Sequence, residues 1–191
     1  AFRGFGGGAY NNMDAALNSS GTSYDFTPYK SNFGFIAQTV LATTPKEESF
    51  NADCGLLAQF SSSNGITNIG FLGDFYIGAS LMPTSRAKAK IIGNVGVTYD
   101  FPLKHFNLSA NVDVNAPPIT TPYPANLVLD INGSTNKWYF KFGEPSHLNM
   151  VDVMNISSYE YLTFGNDITP PSGFTSNFSN AYYNLLGSYP S

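Results

Sequence analysis

Charge is scarce in this sequence. Asp, Glu, Lys and Arg supply 12% of its 191 residues, well under the usual share of about a quarter. A polar surface built from it must be mostly uncharged. The few basic residues give a formal net charge of −4. That argues against a nucleic-acid partner, which needs clustered Lys and Arg to displace counterions. The one basic cluster, Arg86, Lys88 and Lys90, is small, and its alternate spacing reads as the wet face of a strand. Cysteine is limited to Cys54, so no internal disulfide and no cystine-stapled module is possible. Two histidines, His105 and His147, cannot make an ordinary zinc site with that one thiol. No metal and no cofactor is expected. No apolar run approaches the roughly 20 residues of a membrane helix, and no signal peptide is visible. We expect a soluble chain without a transmembrane segment. It opens on Ala1 directly in strand-like sequence, as a processed product or an excised piece would.

Aromatic residues are plentiful at 15%, too much burial drive for a solvated coil. They fall on a period of two. Phe106, Leu108, Ala110, Val112 and Val114 point one way, and Asn107, Ser109, Asn111 and Asp113 the other. One face is expected to be core and the other water, as in an antiparallel sheet. The same pattern runs through Ala87, Ala89, Ile91, Val95, Val97 and Tyr99, with Asp100 to Lys104 as the turn. Leu127, Leu129 and Ile131 lead through Asn132-Gly133 to Trp138, Phe140 and Phe142. Ala52 to Phe60 and Ile69 to Ala79 flank a turn at 61–65. Phe33 to Leu41 is a further strand, Leu148 to Ile156 and Ser158 to Phe164 form another pair, and Gly4 to Tyr10 is a Gly-rich edge strand or bend. Cys54 alternates with Ala52, Leu56 and Ala58 and reads as a buried small hydrophobe.

The fold class expected is all-β: an antiparallel β-sandwich or open barrel built of hairpins, with one short C-terminal helix. That helix is Ser176 to Leu186, with Ser176 as N-cap and Gly187 as stop. Asn12 to Leu17 suggests one helical turn. The Pro-rich stretch 116–124 is expected to stay unpaired as an exposed loop within a single domain, 1–191. The alternative is a hinge between a larger sheet, 1–115, and a smaller unit, 125–191.

Signatures of chemistry are missing. No Gly-x-Ser-x-Gly elbow supports a Ser-His-Asp triad. The glycines at 4–8 lack the strand before and the helix after that a phosphate loop needs. Asp53, Asp74, Asp113, Asp130 and Asp152 fall on polar strand faces. Two of them about 5–9 Å apart in a cleft would open a glycosidase mechanism, but scattered outward carboxylates are the plainer expectation. No catalytic residue is assigned. Tyr76, Tyr139, Tyr159 and Tyr161 are the candidate ligand-binding residues, since flat exposed rings bind sugars and protein partners.

Several stretches, taken in order, resemble segments of very large, poorly characterised bacterial proteins. They are Tyr99-Asp100-Phe101, the strand Asn111 to Asn115, Lys137-Trp138-Tyr139-Phe140-Lys141-Phe142-Gly143-Glu144-Pro145, and Ser157 to Gly165 followed by Pro170-Pro171. Some of those proteins are encoded beside extracellular contractile injection systems. The resemblance covers about half the chain in pieces and departs at the proline tract, which here is two prolines. It implies an internal β module of a longer chain, extracellular or particle-associated, with protein partners. The expected role is non-enzymatic: structure or protein interaction, as cargo or component of such a system. The alternatives are a carbohydrate-binding module or glycan hydrolase, and a delivered effector or toxin.

Overall fold

The computed structural model describes residues 1–18, 23–143, 148–154 and 156–168. Twelve strands follow in chain order: β1 (Phe2–Leu17), β2 (Tyr24–Ala42), β3 (Asn51–Ser61), β4 (Gly65–Ile77), β5 (Ile91–Asp100), β6 (His105–Ala116), β7 (Ile119–Thr120), β8 (Ala125–Asn132), β9 (Lys137–Phe142), β10 (Asn149–Val153), β11 (Ile156–Glu160) and β12 (Leu162–Gly165). One helical turn, α1 (Pro83–Arg86), joins β4 to β5, and a 3-10 turn at Glu47–Ser49 precedes β3. The chain is all-β, as expected. The Ser176 to Leu186 helix falls outside the described residues.

All twelve strands belong to one antiparallel sheet. Its trunk is the order β1-β2-β3-β4-β5-β6-β8-β9-β12, and β7-β10-β11 branches from the C-terminal end of β6. The sheet is open among the described residues, with β1 and β12 at the trunk's edges. The three hairpin turns expected at 61–65, 100–104 and 132–135 are present at one end of the sheet, the last closing one residue later at 136. Connections at the other end are longer, as between Ala42 and Asn51 or Ile77 and Ile91.

Three local expectations are corrected. Asn12 to Leu17 is strand, because β1 continues in pairing with Tyr24–Pro28. Residues 86–90 are not strand: Pro83 sits in the first helical turn, where its missing N–H costs nothing, and the pleat begins only at Ile91. The Pro-rich stretch does pair, since Ile119 and Thr120 bond to both β6 and β10. The β6–β8 register, Val112↔Ala125 to His105↔Asn132, carries the trunk directly across that stretch.

The largest correction concerns which side of the pleat is enclosed. Register places Phe35, Ala58, Ile69, Tyr99, Phe106, Ile131 and Trp138 in one row on one face. Among the described residues many of the large side chains on that face stay open to solvent. Phe35 is 54% exposed, Leu56 55%, and Phe33, Ile69, Ile131, Trp138, Leu162 and Phe164 are exposed as well. The polar face instead carries the folded-over end of the β1–β2 hairpin. The largest fully buried apolar side chain, Leu57 at 1%, lies on this polar side. Asn68 Oδ1 and Ser109 Oγ, also there, are buried without a hydrogen-bond partner among the described residues. Alternation fixes two faces, but only tertiary packing decides which of them meets solvent.

The hairpin end folds over at an irregularity where Asn11 pairs Phe33 but Met13 pairs Pro28. Asn12 (φ 55°) and Ser31 (φ 75°) take left-handed backbone there. The Ser31 amide donates to Asn12 Oδ1 at 3.3 Å. Asn tolerates this conformation better than most residues.

Glycine makes room beneath the overlay. A Cβ at Gly34 would collide with the Tyr10 ring and stand 2.8 Å from the Ala58 carbonyl oxygen. Gly34→Val should therefore lower unfolding stability by about 2–3 kcal/mol, the cost of overpacking a filled position. Urea unfolding followed by far-UV circular dichroism measures it. Gly55→Val, with open space at its Cβ, should change stability far less.

Candidate functional site

The polar face holds a cavity of about 670 Å³ between the sheet and the hairpin end. Tyr24 and Phe26 line it from the hairpin, Gln38 from β2, Asp53 from β3, and Leu72 and Asp74 from β4. Alternation in β2, β3 and β4 turns these side chains to one side of the pleat. The covering segment is pinned by one side chain. Gln59 Oε1 accepts from the Ala15 amide at 2.8 Å and from the Tyr10 hydroxyl at 3.0 Å. Gln59 Nε2 donates to Asp14 Oδ1 at 2.7 Å and to Thr67 Oγ1 at 3.3 Å. Asn32 adds a second donor to Asp14 at 3.1 Å. Gln59 and Ala15 are both buried.

One end of the cavity is acidic. Asp53 and Asp74 are directly opposed across β3 and β4, a pairing that like charges disfavour. Arg86 offsets it. Its Nη1 and Nη2 donate to the two Asp53 oxygens at 2.6 and 3.0 Å, and its Nε donates to Asn51 Oδ1 at 2.9 Å. Asn51 is fully buried and donates in turn to the Ala79 carbonyl at 2.6 Å. The guanidinium lies 4.5 Å from the centre of the Tyr76 ring. The hydrogen bonds from Arg86 to Asp53 raise the arginine pKa further above its ordinary value, outweighing the opposing effect of burial. The helical turn α1 thus serves to swing Arg86 back over the sheet.

A second polar group occupies the turn end of the same face. His105 Nε2 stands 2.8 Å from Asp130 Oδ2, which also accepts from Asn107 at 3.0 Å. An asparagine ladder crosses the strands between the two groups: Asn126 donates to Asn111 at 3.1 Å, and Asn111 to Asn94 at 3.0 Å.

The four candidate tyrosines are dispersed. Tyr76 lies under Arg86. Tyr139, on β9, has the Lys141 ammonium 5.0 Å from its ring centre. Its row crosses Asp130, Asn107 and Thr98 and meets β4 at Gly70, well along the strand from Tyr76. Tyr159 is exposed on β11 in the branch, and Tyr161 is half-buried between β11 and β12. They form no shared row. Among the aspartates, the fold brings Asp53 to Asp74 and leaves Asp113, Asp130 and Asp152 elsewhere. Sequence places Arg86 only in a basic cluster on the wet face of a strand, and it does not point to Gln59. Pro83 was the available signal for the first, because proline near a helix start turns the chain out of the pleat. Gln59 carried none.

Gln59→Leu removes both acceptor and donor while keeping volume, and leaves the buried Ala15 amide unsatisfied. A loss of about 2–4 kcal/mol is expected, together with faster hydrogen exchange confined to residues 13–28, read by mass spectrometry. For the acidic end, Arg86→Met and Asp53→Asn should each destabilise. Their double-mutant cycle should give a coupling of about 1–2 kcal/mol, modest because the Asp53 side chain is 41% exposed. No family model, no curated protein and no solved structure matches this chain.

Proposed function

We propose that the chain is a non-enzymatic structural or protein-interaction β module that works through its apolar sheet face, as part of a larger bacterial assembly. The observation that carries this reading is the uncovered face itself. Phe33, Phe35 and Phe60 form an aromatic cluster with ring centroids 5.4 to 6.4 Å apart. Trp138 and Phe140 both contact Phe164. A large exposed apolar patch marks a surface that another body covers. Placement in or beside an extracellular contractile injection system, as cargo or component, rests on the sequence resemblance. Of the two expected all-β forms, the open barrel is better supported than the sandwich. The polar side encloses the cavity and the hydrogen-bonded networks, and no second sheet lies on the apolar side among the described residues.

A glycan-directed role is a second reading, favoured by one observation: Asp53 and Asp74 oppose each other at the cavity wall, near the Tyr24 and Phe26 rings. A pair of carboxyl groups flanking the scissile bond is the requirement for glycoside hydrolysis. Direct ligation of Asp53 by Arg86 speaks for a structural pair instead.

Association separates the two. Phe35→Glu and Leu56→Glu place charge on exposed apolar positions, so each should leave the circular dichroism spectrum intact while abolishing self- or partner association in analytical ultracentrifugation. Association unchanged in both variants would remove the reading. Hydrolysis of any member of a glycan panel, lost in both Asp53→Asn and Asp74→Asn, would establish the second one.

A further inference from the structure

We infer that the partner of the apolar face is the hydrocarbon of a lipid bilayer, and that the trunk of the sheet is a section of membrane-facing barrel wall. The inference rests on the proposed role of that face as the working surface and goes beyond it, giving the face hydrocarbon in place of a protein.

Charge is the first ground. From the part of β2 that starts at Phe33 across to β9, the apolar face carries no charged side chain. Its polar exceptions are Thr39, Cys54, Tyr99 and Trp138. Asp53, Asp74, Asp100, His105, Asp113, Asp130, Lys137 and Lys141 all take the opposite face or the strand ends. An uncharged surface is complementary to hydrocarbon, where each ion would have to be desolvated. A water-soluble sheet places its charges on the face away from its covered side, whereas here they share the face that carries the hairpin end and the cavity. Polar inside and apolar outside is the membrane-barrel pattern.

Dimensions are the second ground. β3, β4, β5 and β6 have 11, 13, 10 and 12 residues. About ten residues at ~3.4 Å, tilted by ~40°, rise about 26 Å, which matches an apolar band of about 25 Å. Aromatics mark both margins. Phe60, Tyr99, Phe106 and Trp138 lie toward the turn end, and Phe75, stacked with Phe50 at 6.4 Å, lies toward the other. Between them run mostly aliphatic and small residues such as Leu56, Val95, Val97, Leu108, Ala110 and Leu127. Short turns at one end and longer connections at the other complete the likeness. The band narrows at β9 and β12, which have 6 and 4 residues. Hydrocarbon tolerates no free sheet edge, so β1 and β12 must find backbone partners in the inserted state.

Such a band needs no apolar helix. Among the described residues no helix is long and apolar enough to cross a membrane, because a strand exposes only every second residue and never builds a long apolar run.

Trp138 is the chain's single tryptophan and lies near one margin of the band, so it reports insertion depth. The full chain is refolded into dilauroyl phosphatidylcholine vesicles doped with phosphatidylcholine brominated at shallow or deep acyl positions. Blue-shifted Trp138 emission is expected, quenched more by shallow than by deep bromines. Leu127→Arg, at mid-band, should lower the inserted fraction by on the order of thirtyfold or more, while Thr98→Lys on the polar face should insert as the wild type does. Should the Leu127 variant fail to fold at all, the wild-type quenching still decides. A chain whose Trp138 is quenched by no brominated lipid, yet which associates through the apolar face in lipid-free buffer, overturns the bilayer and keeps the interaction module. A folded monomer with neither behaviour overturns both.

Discussion

The period-two pleat, held in nearly unbroken register from β2 to β9, is the constraint on which everything else depends. Side chains alternate because of backbone geometry, and hydrogen-bonded registers add the rows of successive strands together. A slip of one residue in any strand would carry Asp, Asn and His to the apolar side and a run of Val, Leu and Phe to the other. The segregation is therefore collective. No strand establishes it alone, and the cavity, the asparagine ladder and the bare aromatic face are all its consequences.

Polar side chains do on the enclosed face what a hydrophobic core does elsewhere. Gln59 ties the hairpin to the sheet through three hydrogen bonds and makes a fourth to Thr67 on β4. Arg86 is drawn over opposed carboxylates and meets Asn51, which is anchored to a backbone carbonyl. Such networks are directional, and they hold only when each member is satisfied. That makes the enclosed face demanding of geometry, whereas the apolar face asks only for bulk and absence of charge. The folded-over hairpin links the two demands: its left-handed residues at 12 and 31 redirect the strands, and Gly34 and Gly70 clear the space into which Tyr10 and Tyr24 fit.

Much of this was legible in sequence. Turns at 61–65, 100–104 and 132–135 follow from Gly, Asn and Pro between alternating runs, and the division of residues between two faces follows from spacing. The candidate site was not legible in the same way. Asp53 and Asp74 are separated by a hairpin, so their opposition depends on register. Arg86 reaches them only because Pro83 starts a helical turn in what reads as strand. The tyrosines at 76, 139, 159 and 161 share a residue type and a half-wet environment, yet the topology distributes them over three separate places.

By itself, then, the sequence determined an all-β chain with two chemically distinct faces, because alternation is local and each strand records its own. Tertiary structure decided which face is enclosed. The bend at Asn12 and the inward swing of α1 set which face the hairpin end and Arg86 cover, and those depend on contacts between residues up to 49 positions apart, as from Tyr10 to Gln59. A strand carries the same pattern whether its apolar side meets a core or a surface. Burial is a property of what lies across the space from it, and a strand's own residues do not record that.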